Sequence, residues 1–287
     1  MTRSVIAGVD GSPESVAAAR WAAGAAARLR TDLLLLHVGD WPVHVAHGAT
    51  FEVHQGRIRD LLRSAAAEAG RDHPGLAVRT ATTAGDPIVC LVEAGTQVEL
   101  LVLGSRGQGA FQGLLVGSTA LAVAARSRCP VVLVRADQPF GSAVSVPEVV
   151  VGVDSKDSSA VLLEFAIEAA ARMKTGVRVV HAWSPPPHWF GGGTADADAE
   201  HAQAQHAEVD RLEEILEPWR SAHPGVELIP ATRVGSAAEI LTEEARRASL
   251  VVVGRHDRRH GGIGRLGAVA HAVIHYARCP VAVVPRD

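Results

Sequence analysis

The chain repeats one pattern twice, and this repeat limits the possible folds more than any other feature of its sequence. Residues 6–10 (IAGVD) return as residues 150–154 (VVGVD), 144 positions later. Residues 129–131 (CPV) return as residues 279–281 (CPV), 150 positions later. His37 and His181, each following an apolar run, form a further match at the 144-residue spacing. Several matches in the same order indicate two copies of one domain in tandem.

The two copies differ in length, because the spacing between matches grows from 144 to 150 along the chain. We assign the six extra residues of the second copy to the loop at residues 184–193. Residues 136–147 (ADQPFGSAVSVP) have the Pro, Gly and Ser content of a linker. We therefore predict domains at residues 1–137 and 148–287, each of the usual size for one domain.

Each copy alternates short apolar runs with Ala-rich stretches, which is typical of βαβ units and a parallel sheet. Aromatic residues make up only 4% of the chain, so we expect an aliphatic core. In the first copy the predicted strands lie at residues 4–9, 33–38, 77–82, 100–103 and 131–134, and the predicted helices at 12–29, 52–69, 87–94 and 118–127. Ser12 is the predicted N-cap of the first helix, with Pro13 in its first turn. In the second copy, residues 195–217 predict a surface helix that ends near Pro218.

Composition argues against several classes of partner. A net charge of -3 supplies no basic field for nucleic acid, so we expect none to bind. We find neither a signal-peptide core near the N-terminus nor an apolar run of about 18 residues, so we expect a cytoplasmic protein with no membrane partner. Three cysteines form no disulfide framework and are interpreted as small buried apolar residues. Among the histidines, His271 and His275 share helical spacing but have no third ligand, so we expect no metal site.

A glycine-rich segment follows the fourth predicted strand and precedes a predicted helix. It reads GSRG at residues 104–107, then nine residues, then Gly117-Ser118-Thr119. Main-chain N–H groups at a helix start bind phosphate oxygens, and glycines there are expected to allow close approach and positive φ. The residues expected to hold phosphates are Gly104, Arg106, Gly107, Gly117, Ser118 and Thr119. The alternative is that these glycines serve only turns and helix caps.

The pattern G-2x-G-9x-G-[ST], with an Asp after the first strand and a Cys-Pro before the last, resembles the universal stress protein family. The resemblance covers both halves of the chain. It implies two tandem Rossmann-like α/β domains, each with a five-stranded parallel sheet of order 3-2-1-4-5 flanked by helices. It also implies ATP, with or without Mg²⁺, as the ligand of the first domain. Pairing of the last strands, which mediates dimerisation in that family, implies an internal pseudo-dimer, and a homodimer between chains stays open.

The implied strand order places the glycine segment at a ligand-binding position. Strands one and four flank the switch point where open α/β sheets bind ligands. Asp10, after strand one, is expected to accept hydrogen bonds from ribose or adenine, and Val38, at the end of strand two, to flank the base. The alternatives are that Asp10 is a turn or N-cap residue and that Val38 is ordinary core.

The second copy departs from the glycine pattern, since Asp257 and Ala268 stand where the first copy has Gly107 and Ser118. We expect its nucleotide site to be weak or empty, with partial compensation from Arg255, Arg258, Arg259 and Arg265. The expected function is a nucleotide-responsive binding module that addresses unknown protein partners, because no catalytic base or nucleophile is evident beside the loop. A nucleotide-free scaffold and a slow ATPase or nucleotidyl transferase are the alternatives.

Overall fold

A computed structural model describes residues 4–39, 49–108, 115–136, 148–154, 160–185, 195–255 and 266–286. All but the first residue of the predicted linker at 136–147, and most of the loop at 184–193, lie outside these residues. The first domain contains β1 (Val5–Gly8), α1 (Pro13–Leu29), β2 (Leu33–Gly39), α2 (Ala49–Gly70), β3 (Val78–Ala84), α3 (Pro87–Ala94), β4 (Leu100–Gly104), α4 (Ser118–Arg126) and β5 (Val131–Val134). The second domain contains β6 (Glu148–Val153), α5 (Ala160–Met173), β7 (Val177–Trp183), α6 (Ala195–Ala222), β8 (Leu228–Val234), α7 (Ala237–Glu244), β9 (Ala248–Gly254), α8 (Ala268–Tyr276) and β10 (Val281–Val284).

Helix α1 shows how the sequence builds the layers. Ser12 is its N-cap, and the Ser12 side chain accepts a hydrogen bond from the backbone of Ser15, as predicted. Arg30 ends the helix in the left-handed region at φ 54°. Between these caps the buried face is almost entirely alanine, including the fully buried Ala18 and Ala22. Small side chains on this face let α1 pack closely against the sheet.

The strands form one ten-stranded sheet of order β3-β2-β1-β4-β5-β10-β9-β6-β7-β8. Neighbouring strands within each domain are parallel, so the predicted order 3-2-1-4-5 is confirmed in both copies. The two domains join through β5 and β10, which pair antiparallel with Val132 opposite Ala282. Both strands are buried throughout, so the predicted internal pairing of these edges is confirmed.

Helix α6 differs from its prediction in two respects. The extra residues of the second copy were assigned to a loop, but α6 has 28 residues against 22 in α2, so the helix accounts for the surplus. The helix also continues through Pro218, and its Leu212 and Leu216 are fully buried rather than on the surface. Packing of these leucines offsets the hydrogen bond lost at the proline, a cost of about 3 kcal/mol.

Two smaller predictions concern cysteines and membrane spans. Cys129 and Cys279 are buried, but Cys90 is only half-buried, so the interpretation of all three as core residues was wrong for Cys90. Within the described residues, none of the helices combines the length and apolar character needed to cross a bilayer. His271 and His275 do lie together on α8, where their rings stack with centroids 4.5 Å apart.

Candidate functional site

A cleft of about 550 Å³ opens in the first domain where the carboxyl ends of β1 and β4 meet. This is the switch point of the sheet, since the chain crosses to β2 on one side of β1 and to β4 on the other. All eight residues predicted for the site line the cleft, namely Asp10, Val38, Gly104, Arg106, Gly107, Gly117, Ser118 and Thr119. Leu36, Leu91 and Leu103 supply an apolar wall. The cleft therefore joins a glycine-rich polar end to an apolar end.

The polar end is built around the start of α4. Gly117 is the N-cap in extended conformation, and it offers no side chain to cap the helix. The N–H of Gly117 donates to the carbonyl of Ser105 at 2.7 Å. This bond holds together the two ends of the segment at residues 104–117, called the glycine loop below. The first N–H groups of a helix have no acceptor within the helix. At α4 these groups lie at Ser118 and Thr119, beside hydroxyl groups that line the cleft.

Asp10 forms a turn that joins β1 to α1 and to the glycine loop. Its Oδ1 accepts from the Ser12 N–H at 2.9 Å and from the Ser12 hydroxyl at 2.6 Å. Its Oδ2 accepts from the Gln108 N–H at 3.0 Å. Burial raises the pKa of Asp10, but hydrogen bonds, chiefly those from Ser12 and Gln108, lower it more, so the pKa lies below its usual value. Asp10 is thus an ionised carboxylate with one acceptor position left on Oδ2.

Arg106 forms an ion pair that no local sequence pattern predicts. Its Nε donates to Oε1 of Glu14 at 2.7 Å, and its Nη2 lies 2.5 Å from the same oxygen. The Glu14 side chain is only 8% exposed, so this pair fixes the glycine loop onto the first turn of α1. Arg106 keeps further N–H donors on its guanidinium group. Glu14 and Gln108 were missed because their partners lie more than 90 residues away in sequence.

Positions 104, 107 and 117 do not have the predicted positive φ, and at Gly104 and Gly107 a side chain is instead excluded by lack of space. Among the described glycines, positive φ occurs at Gly11, Gly85 and Gly235. A Cβ on Gly104 would lie 2.8 Å from backbone atoms of Glu14 and Ser15, and one on Gly107 would lie 2.6 Å from Oδ2 of Asp10. A Cβ on Gly117 would have only ordinary contacts, the nearest at 3.6 Å.

The corresponding cleft of the second domain measures about 620 Å³ and lies at the ends of β6 and β9. Gly267 is the N-cap of α8, again without a side-chain cap, but Ala268 and Val269 replace the two hydroxyl residues. Residues 256–265, with Asp257, Arg258, Arg259 and Arg265, lie outside the described residues. Among the described residues, the start of α8 therefore offers no hydroxyl donors of the kind found at the start of α4.

Arg255 does not compensate in the second cleft, so that prediction was wrong. It is only 1% exposed and lies in the interface between the domains. Its Nη1 donates to the carbonyl of Ala125 at 3.1 Å and to that of Ser127 at 2.6 Å, at the carboxyl end of α4. In the opposite direction, Arg135 donates to the carbonyl groups of Ile274 and His275 at the end of α8. Each domain thus caps a helix of the other.

Comparison with known proteins agrees with this architecture. The model of the Universal stress protein family matches residues 1–135 and 147–285. A universal stress protein of Mycobacterium tuberculosis (strain ATCC 25618 / H37Rv) is 33% identical over 291 residues, which cover 97% of this chain and 96% of the relative.

Solved structures extend the comparison to the fold. A universal stress protein from Archaeoglobus fulgidus DSM 4304 superposes with a TM-score of 0.70 over 99% of this chain and 96% of its own, at 20% identity. A universal stress protein solved in complex with cAMP is 27% identical and covers 46% of this chain and 97% of its own, with a TM-score of 0.39.

Proposed function

The chain belongs to the universal stress protein family, and we propose that its first domain binds ATP and acts as a nucleotide-responsive binding module. One observation carries the proposal. Helix α4 begins at the cleft with an N-cap that has no side chain, followed by two hydroxyl residues, Ser118 and Thr119. Such a helix start offers N–H donors and the positive end of the helix dipole to an anion.

In this proposal the triphosphate lies at α4 and the base in the apolar part of the cleft. The N–H groups and hydroxyls of the first turn bind phosphate oxygens, while Val38 and Leu91 flank adenine. A ribose hydroxyl donates to the remaining acceptor position on Oδ2 of Asp10. Hydrogen bonds to charged groups contribute about 1.5–3 kcal/mol each, and micromolar binding needs about 8 kcal/mol. Three or four such hydrogen bonds, together with packing of the adenine, are sufficient for micromolar binding.

The cleft supports binding better than catalysis. Of the described residues that line it, the ionisable side chains are Asp10 and Arg106. Asp10 already accepts three hydrogen bonds and its pKa is lowered, so it is a weak general base. Arg106 is paired with Glu14. The contacts of Asp10 and Arg106 also hold the glycine loop against α1. Occupancy of the cleft therefore stiffens this loop and alters the surface that a protein partner meets.

The variant Gly117→Asp tests the proposal without removing any contact. An aspartate at an N-cap accepts from the first-turn N–H groups, so it occupies the donors that the phosphates need while it stabilises the helix. The site has room, since a Cβ there has only ordinary contacts. We expect Gly117→Asp to lose ATP binding in equilibrium dialysis and to melt at or above the temperature of the unmodified protein.

Gly267→Asp is the matched control, because Gly267 holds the same uncapped position on α8. We expect it to change ATP binding little. Equal losses in the two variants, or full retention of ATP in Gly117→Asp, would refute binding at α4. Steady release of ADP or AMP from the unmodified protein, abolished by Asp10→Asn, would instead favour an ATPase or transferase.

A further inference from the structure

We propose that a pocket between α1 and α5 binds a small aromatic carboxylic acid, independently of the nucleotide cleft. The pocket has a volume of about 190 Å³ and lies where the two domains meet. The described side chains that line it are mostly apolar, and the larger apolar ones are Trp21, Leu29, Leu100, Phe165, Met173 and Leu250. A ligand in this pocket would contact both domains.

The apolar walls of the pocket come from equivalent positions of the two copies. Trp21 of α1 and Phe165 of α5 are 144 positions apart, and so are Leu29 and Met173. All four side chains pack against the core but are only partly buried, so part of each remains accessible to a ligand. The two helices thus present matching apolar faces to the same pocket.

The charged residues of the pocket differ between the two helices. On α5, the Nη1 of Arg172 lies 3.0 Å from Oε2 of Glu168, and its Nη2 lies 4.0 Å from Oε1 of Glu99. Both glutamates line the pocket together with Arg172. Arg172 is therefore already paired with carboxylates of the protein and is not the cation that we assign to a ligand.

Arg28 is the counterpart of Arg172, 144 positions earlier, and lines the pocket from α1. The positions of the two glutamates are held in the other copy by Gly24 and Ser249, neither of which has a carboxylate. The Arg28 guanidinium group lies over Gly24 and near the Nε2 of His73. Within the part of the chain that the structure describes, no carboxylate pairs with Arg28, and burial lowers its pKa. A partly desolvated cation without a counterion favours an anionic ligand.

The volume and lining of the pocket indicate the size and charge of the ligand. An engineered apolar cavity of about 150 Å³ holds one benzene molecule, so a pocket of about 190 Å³ has room for a phenyl ring with a short chain. Trp21 and Phe165 favour an aromatic ring over an alkyl chain. A carboxylate on the chain pairs with Arg28, whereas Glu99 and Glu168 disfavour a second negative charge.

A methionine label reports directly on the pocket, because the chain has two methionines, Met1 and Met173, and Met173 lines the pocket. The full chain is labelled with methyl-¹³C-methionine and titrated by NMR, and Met173→Leu assigns the signal. The probe is 3-phenylpropionate, and the uncharged 3-phenylpropanamide is its matched control. We expect the Met173 signal to shift saturably, with the acid binding about 3- to 10-fold more tightly than the amide because only the acid pairs with Arg28. ATP at millimolar concentration should not reverse the shift.

Three variants assign the contacts. Arg28→Gln should weaken acid binding about 3- to 10-fold, to the level of the amide, and leave amide binding unchanged. Arg20→Gln is its control, because Arg20 lies on the same helix but is paired with Glu68 at 3.7 Å, and it should change neither. Ala169→Leu adds a larger side chain to the pocket lining and should abolish binding of both probes.

Several outcomes would overturn the proposal. They are an unshifted Met173 signal at millimolar probe, equal binding of acid and amide, unchanged acid binding in Arg28→Gln, reversal of the shift by ATP, and retained binding in Ala169→Leu. Thermal melts verify that the variants fold. If Ala169→Leu does not fold, Ala25→Val replaces it, because Ala25 lines the pocket at the equivalent position of α1.

Discussion

Replacing Arg255 with alanine should destabilise the joint between the two domains. The arginine is 1% exposed, and its Nη1 donates to the carbonyl groups of Ala125 and Ser127 across the interface. These are carbonyl groups at the end of α4, which has no later turn to satisfy them. The variant removes both hydrogen bonds and leaves one buried acceptor, on Ser127, and one partly buried acceptor, on Ala125, without this partner.

The size of the effect follows from these contacts. Two hydrogen bonds from a charged donor contribute about 1.5–3 kcal/mol each, and a cation at a helix carboxyl end adds about 0.5–1 kcal/mol. Relief of the burial of the guanidinium group offsets part of this sum. We expect a net loss of about 3 kcal/mol in the free energy of unfolding.

Urea unfolding followed by circular dichroism measures the loss. In a two-domain chain it should appear in the first transition, with a smaller m-value if the domains now unfold separately. Arg63→Ala is the control, because Arg63 is 77% exposed in its ion pair with Asp60 and should change stability by less than about 0.5 kcal/mol. If Arg255→Ala matched Arg63→Ala, the interface contact would not hold α4 and the reasoning would be wrong.

Three further predictions follow from single contacts. Gly104→Ala should lower the free energy of unfolding in urea by about 1–3 kcal/mol, because the new Cβ would lie 2.8 Å from backbone atoms. Gly117→Ala should lower it by less than about 1 kcal/mol, and equal losses in the two variants would contradict the steric argument. Burial raises the pKa of Cys279 to about 12. A thiol reagent at mild alkaline pH should therefore label the half-buried Cys90 in the folded chain and Cys279 only after unfolding. Rapid labelling of Cys279 in the folded chain would disprove its burial. Asp10→Asn should lower the free energy of unfolding at neutral pH, where the ionised carboxylate stabilises the folded chain. The difference in stability between the variant and the unmodified protein should shrink as the pH falls below about 3.9 and through the lowered folded-state pKa. A difference in urea midpoint that stays constant with pH would contradict this.

Local patterns predicted the elements and their order well. The bounds of α3 and β5 were predicted to the residue, because each has a clear start signal and a short apolar run. All eight candidate site residues line one cleft because parallel strands end at the same edge of the sheet. These features depend on neighbours in sequence or on the strand order, which the resemblance to the universal stress protein family implied.

The features that could not be predicted depend on contacts between distant residues. Nothing near Arg106 in sequence indicates that it pairs with Glu14. The continuation of α6 through Pro218 depends on burial of Leu212 and Leu216, which outweighs the local cost of the proline. Likewise, the steric reason for Gly104 lies in the backbone of α1 rather than in its own conformation.

The position directly after the fourth strand of each domain explains why the two copies differ at their clefts. In the first domain it is Ser105 and in the second Arg255, and their N–H groups make the same bond, to Val134 and to Val284 respectively. The Ser105 carbonyl accepts from the Gly117 N–H, which holds the two ends of the glycine loop together. Arg255 instead extends away from its own cleft into the other domain. One backbone position thus lies in the glycine loop of one copy and at the joint between copies in the other. A serine at position 255 would remove the arginine's hydrogen bonds to the end of α4, while Ala268 and Val269 would still lack hydroxyl groups.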